Sequence, residues 1–226
     1  LACPRRYFLE REARAEPRRS SAAVFGSVIH ALAEHAARDG VGREEALAWL
    51  DDVWDSLPFA AAWLSESERV EAELAVTRLM NWFDAHATAD VVGTEVPFAV
   101  AVEVDGVEVK VRGTVDRLER LPSGALRVID FKSSRFVPTA ASVAAHEQLG
   151  AYQLAVEAGA FAAVAPGATT SAGGELVFLR AGDDVLPKTL GQEPLRARPH
   201  LTDDPDELRH PTWVHHRLGL ACATLR

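Results

Sequence analysis

Gly113-Thr-Val-Asp116-Arg117 and, one turn later, Val128-Ile-Asp130-Phe-Lys132-Ser-Ser134 form the stretch on which the reading of this chain rests. It reads as two β-strands joined by a short hairpin loop, Leu121-Pro122-Ser123-Gly124. Side chains alternate along a strand, so Asp130 and Lys132 share a face and Phe131 takes the other. Val128, Ile129 and Phe131 are residues that bury a strand in a core. Asp116, near the end of the preceding strand, is placed to meet the Asp130–Lys132 pair. Two carboxylates and a lysine on a rigid sheet suit a hard divalent cation, with the lysine left to steady a phosphate oxygen or an attacking water. The same pair read alone is also an ordinary ion pair on an exposed strand, which stabilises little. Lysine usage weighs against that: only Lys110, Lys132 and Lys188 occur among 24 basic residues. A lysine kept beside carboxylates is there for its compact, tunable ammonium.

Outward from this stretch, 226 residues correspond to one large domain, or one domain with appended helices. An apolar content of 48% against 25% charged residues supports a sizeable core. No apolar run is long enough to span a bilayer. The opening Leu1-Ala-Cys3-Pro4-Arg5-Arg6 has neither the apolar core of a signal peptide nor an initiator methionine, so the chain reads as part of a longer, cytoplasmic protein. Cys3 and Cys222 lie at opposite ends and suggest no disulfide scaffold. A net charge of −9 argues against a free-standing, non-specific nucleic-acid binder. Basic residues crowd between Arg5 and Arg19, whereas the acids spread over 34–84 and 183–207. Handling of DNA would need a local groove or a partner to supply the attraction.

Periodicity predicts a short helix over 3–12 anchored by Tyr7, Phe8 and Leu9, then helices over 22–38, 43–56 and 65–87. On the second of these, Gly26 permits close approach of another backbone, and Gly26, His30 and Glu34 share a face. Leu47, Trp49, Leu50, Val53, Trp54 and Leu57 supply one apolar surface of this helical block. Val70, Leu74, Leu79, Trp82 and Phe83 supply another. The period changes at Val91. A strand from Glu95 to Val104, the turn Asp105-Gly106, a return strand over 107–115 and a third strand over 126–132 make an antiparallel meander. Glu95 starts the first strand, where it either leans into the site or stays solvated. One helix is predicted over 140–158, with Gln148 and Tyr152 on one face, and a strand over 173–180. Residues 182–211 read as a long irregular loop, and 212–226 as a final helix. His215 and His216 project in different directions and make a poor metal pair.

Five motifs in this order resemble the PD-(D/E)XK nuclease superfamily, and within it the RecB-like branch. Cys3-Pro-Arg-Arg-Tyr-Phe-Leu-Glu10 resembles the Cys-Pro-aromatic opening of such domains. Gly26-Ser-Val-Ile-His30 is similar to the helical histidine motif, and Gly113-Thr-Val-Asp116-Arg117 to the first acidic motif, without the proline of the superfamily name. Ile129-Asp130-Phe131-Lys132-Ser133 is similar to the D-x-K motif, and Gln148-Leu-Gly-Ala-Tyr152 to the Q-x-x-x-Y motif. The resemblance implies an α/β fold with a restriction-endonuclease-like core, α-βββ-α-β, whose mixed central sheet is flanked by helices, with an inserted N-terminal helical block. It implies one RecB-like nuclease domain over 1–226, divided at about 90 and about 182 into helical part, catalytic sheet core, and C-terminal loop and helix.

The implied activity is a metal-dependent deoxyribonuclease, an exonuclease or endonuclease acting on single strands. His30, Asp116, Asp130 and the Phe131 backbone carbonyl would bind Mg²⁺ or Mn²⁺. Lys132, with Asp116 and Asp130, would be catalytic, and Gln148, Tyr152, Glu95 and Arg117 would support the site or the DNA. Within the branch the chain resembles the C-terminal nuclease domain of AddB, AdnB and RecB helicase–nucleases, which resect double-strand breaks in DNA repair and recombination. The implied partners are DNA and an ATP-dependent helicase domain or subunit, with no membrane. Two alternatives stay open: a catalytically inactive, nuclease-like DNA-binding or scaffold domain, and a stand-alone RecB-like exonuclease of the CRISPR type. Many relatives hold an iron–sulfur cluster with one leading cysteine and three trailing ones. Here Cys3 has no trailing C-x-x-C, so no cluster is expected in the chain as given, unless further cysteines lie beyond Arg226.

Overall fold

The computed structural model describes residues 21–54 and 62–224. The predicted helix over 3–12 and the apolar position Leu57 lie outside them. Among the described residues three helices come first: α1 (Ser21–Asp39), α2 (Arg43–Trp54) and α3 (Ala62–Ala85). The meander follows as β1 (Asp90–Val104), β2 (Val107–Arg120) and β3 (Leu126–Lys132). Next come α4 (Ala140–Ala144), α5 (Glu147–Glu157), β4 (Ser171–Gly182) and β5 (Pro187–Gln192), and the chain closes with α6 (Pro205–Leu208) and α7 (Trp213–Thr224). The strands form one five-stranded sheet in the order β1-β2-β3-β4-β5. It is mixed, because β3 and β4 run parallel and the other pairs antiparallel. A parallel neighbour requires a crossover, and α4 with α5 provide it.

Alternation along β3 and β4 builds two cores from one sheet. Ile129, Phe131, Val177 and Leu179 bury against Ile29, Leu50 and Leu79 of the helical block. Val128, Leu126, Leu176 and Phe178 bury on the other face with Leu149 and Tyr152 of α5. Both faces of β3 are thus covered, which is why its apolar residues fall on both: Leu126 and Val128 on one, Ile129 and Phe131 on the other. Beyond the reach of these layers, α7 packs Trp213 and Val214 against Val102 and Val104 of the long β1–β2 hairpin. The hairpin turns at Asp105-Gly106, with φ of 51° and 72°, the left-handed pair that a tight two-residue turn requires.

Three expectations change. The single helix over 140–158 is two, broken at Ala145-His146, and the break and the unpredicted strand β5 are one feature. Gln192, at the end of β5, directs its amide nitrogen at carbonyls beside the break, 2.9 Å from Val143 O and 3.2 Å from His146 O. The loop over 182–211 therefore contains β5 and the short α6. Val70, expected on an apolar surface of α3, is instead exposed.

Candidate active site

The first acidic motif sits where the sheet opens. Strands β2 and β3 pair from Arg117↔Ile129 to Arg120↔Leu126, and the pairing stops just short of Asp116 and Asp130. In place of a ladder bond, the Phe131 N–H donates to Asp116 Oδ2 at 2.7 Å. On the other side of β2, the register with β1 sets Thr94 against Arg117 and Val96 against Val115, leaving Glu95 opposite Asp116. Glu95 has a φ of 47°, a strained value for a residue with a side chain. Val115 and Leu118, an odd number of residues apart, both bury in the same core. Regular alternation is therefore broken at Asp116 and across from it.

α1 brings the third candidate donor. Gly26 lies against the residue that follows β3: a Cβ there would come within 2.9 Å of Ser133 Oγ. The close neighbour is thus a side chain rather than the expected backbone. That approach, with Ile29 and Leu32 buried one turn on, sets His30 over the mouth between the strands, with Nδ1 3.5 Å from Asp116 Oδ2. His30, Glu95 and Asp116 each offer a ligand atom within 4.8 Å of the others, and this is the one such group among the described residues. Two carboxylates and an imidazole are a donor set for Mg²⁺ or Mn²⁺, the imidazole favouring the latter.

Beside this group lies a polar relay. Asp130 is buried, and its Oδ2 is 2.6 Å from Lys132 Nζ. The two are close without an aligned hydrogen bond, so Oδ2 keeps accepting capacity in a buried place. Lys132 Nζ donates to Gln148 Oε1 at 2.7 Å, and Gln148 Nε2 donates to the Tyr152 hydroxyl at 2.7 Å. Gln148 and Tyr152 share a face of α5, as their spacing predicts, and Tyr152 is braced edge-on against Phe98.

Packing so many acids together makes negative charge costly. Burial, then the charge of Asp130, pushes the Asp116 carboxyl up to about 8, with Glu95 adding to the rise and the Phe131 N–H and Lys132 opposing it. Burial also raises Glu95, aided by Glu34 and Asp130. Burial lowers His30, against the pull of Asp130 and with the push of Lys132, which favours the neutral imidazole that binds metals. A divalent cation would reverse the penalty on both carboxylates. The hard carboxylate donors and the neutral imidazole fit such an ion.

Of the residues named from sequence, the structure brings together His30, Glu95, Asp116, Asp130, Lys132, Gln148 and Tyr152. Asp130 borders the three-residue group rather than being one of its members. Arg117 is a correction. It points away from Asp116, is buried, and donates from Nε to Glu119 Oε1 at 2.8 Å. Its guanidinium lies over the Trp82 ring at 5.2 Å and the Phe83 ring at 5.3 Å. Neighbours on a strand face opposite ways, so the arginine beside Asp116 serves the core. Glu95 had a readable signal. It lies ten residues before Asp105 and Asp116 ten after Gly106, so the two-residue turn already sets them opposite each other. Glu34 and His146 were given no part in the site by sequence. The charge of Glu34 acts on Glu95, and His146, which caps α5, is lowered by burial and by Lys132.

A model of the PD-(D/E)XK nuclease superfamily matches residues 1–215. No curated protein matches the chain. Among solved structures, the crystal structure of SSO0001 is similar over 100% of this chain and 87% of that one, at 14% identity and a TM-score of 0.33.

Proposed function

The chain belongs to the PD-(D/E)XK nuclease superfamily, and from that premise we propose that it hydrolyses phosphodiester bonds of DNA, with single strands as substrate. The reading is carried by one observation: three metal-compatible side chains meet beside a lysine held by a buried aspartate and a glutamine. His30, Glu95 and Asp116 would hold Mg²⁺ or Mn²⁺, with Asp130 and the Phe131 carbonyl as further donors. When bound, such an ion polarises the phosphodiester and lowers the pKa of a coordinated water.

The chain's own residues do the rest. Asp130 and Gln148 fix the Lys132 ammonium at the rim of the cluster, where it opposes negative charge growing on the phosphate oxygens. Tyr152 orients Gln148 and so restricts Lys132 to one place. Ile129 and Phe131 anchor β3 in the core, which keeps Asp130 and Lys132 from drifting relative to Asp116.

The finer context we propose is a nuclease domain of a helicase–nuclease that resects double-strand breaks. Its support is the order of the five motifs, together with an acidic balance of −9 that suits a strand delivered by a motor. Helicase motifs in the flanking sequence, or co-purification with an ATP-dependent motor, would test it.

The test of the activity is Mg²⁺- or Mn²⁺-dependent degradation of a labelled single-stranded oligonucleotide. Chelation and Asp116→Ala should each abolish it, and Lys132→Ala should slow it on the order of a hundredfold or more. Cleavage by either variant at the rate of the unaltered chain would overturn the assigned roles.

A further inference from the structure

The outward face of the β1–β2 hairpin carries cations in an acidic protein. On β2, Lys110 and Arg112 are exposed, and neither makes an ion pair among the described residues. Across the ladder they face small residues: Lys110 is opposite Ala101 and Arg112 opposite Ala99. The two long side chains therefore rise over short ones, and a hollow of about 520 Å³ opens there, lined by Ala99, Val100, Ala101, Lys110, Val111 and Arg112. Their i,i+2 spacing puts them about 7 Å apart along the strand. That is comparable to neighbouring phosphates on an extended nucleic-acid strand.

Position gives the hollow a direction. β2 leads from Lys110 through Arg112 and Thr114 to Asp116, so the cations lie on the strand that contributes Asp116 to the metal-compatible group. At the other end, Glu103 and Glu108 stand directly opposite each other next to the turn. Like charges facing across a ladder repel each other and any phosphate. The favourable stretch is thus bounded by acids at the tip and by the candidate active site at the base. A protein carrying −9 overall attracts a polyanion only through such a local field.

We propose that this face is a backbone-binding track, in which Lys110 and Arg112 hold two successive phosphates of the strand, the scissile phosphodiester at Asp116 and Lys132 lying two phosphates further along. The proposal rests on the nuclease reading above and deepens it, since it names what the substrate must have: several linked phosphates beyond the scissile one.

The test separates the track from the chemistry. Binding of a fluorescein-labelled oligothymidylate is measured by anisotropy over a series of KCl concentrations, with the full chain carrying Asp116→Ala to prevent cleavage. Adding Lys110→Ser and Arg112→Ser should weaken binding about tenfold or more at 0.1 M salt and reduce the slope of log affinity against log salt by about 1.4. Lys110→Arg with Arg112→Lys should restore both. In parallel, Mn²⁺-dependent hydrolysis of bis(p-nitrophenyl) phosphate, too short to reach the hairpin, should be unchanged by the two serine substitutions in the otherwise unaltered chain. An unchanged salt slope overturns the track, whatever the hydrolysis shows. Failure of the unaltered chain to hydrolyse both the small diester and the oligonucleotide overturns the nuclease reading, and the salt slope still decides whether the face binds phosphates.

Discussion

At the scale of single residues, Asp116 shows the tension between stability and chemistry. Its carboxyl is buried beside Asp130 and Glu95, and is pushed up to about 8. An acid whose folded value exceeds its unfolded one costs stability. That cost is absent below the unfolded value near 4 and grows as the pH rises toward 8. Asp116→Asn removes the cost while keeping an oxygen to accept the Phe131 N–H. In the presence of a chelator at pH 8, the variant should therefore melt about 2–4 °C or more above the unaltered chain, and the difference should vanish near pH 4. Adding Mn²⁺ should raise the melting temperature of the unaltered chain and leave that of the variant where it was. Equal stabilisation of both by Mn²⁺ would remove Asp116 from the ligand set. Arg117, its neighbour, teaches the limit of motif reading: the motif carries the aspartate, and strand alternation sends the next side chain into the core.

Elements decide how these residues meet. α1 approaches the end of β3 at Gly26, where a Cβ would meet Ser133 Oγ. Gly26→Val should push α1 away from the end of β3, carry His30 off Asp116, and weaken Mn²⁺ binding about tenfold, at a stability cost of about 1–3 kcal/mol. Ser133→Ala in the same chain should recover part of both losses, because it removes the atom that clashes. Titration calorimetry and melting read the two effects separately, and no recovery would place the role of Gly26 elsewhere. The helix α1, the β1–β2–β3 meander and the face shared by Gln148 and Tyr152 were legible because each has a clean period or a turn signal. β5 was not: Pro187-Lys-Thr-Leu-Gly-Gln192 has one large apolar residue and sits at the sheet edge, where a strand needs little apolar pattern. The break at His146 was missed with it, since histidine is an uncommon N-cap and the amide that bridges the carbonyls beside the break comes from β5.

Across the whole molecule, the question is whether the helical block and the sheet form one folding unit. The two cores share a single middle layer, because Ile129 and Phe131 face one and Val128 and Leu126 the other. Neither core can lose its packing without baring one face of β3 and β4. Polar links run the same way: Arg78 of α3 donates to the carbonyls of Leu179 at 3.1 Å and Asp183 at 2.7 Å, and Arg180 of β4 pairs with Glu68 of α3 at 2.8 Å. We expect one cooperative domain on this basis. Leu79, in the helical core, and Leu149, in the core beneath α5, are both fully buried. Truncating either to alanine should cost about 2–5 kcal/mol. In a single domain both variants shift one denaturant transition, with the slope of free energy against denaturant unchanged. If Leu79→Ala instead split the curve, with the helical block melting first and the sheet holding its original midpoint, the helices would be a separate module laid against the catalytic sheet. His30 would then leave the metal-compatible group whenever that module opened.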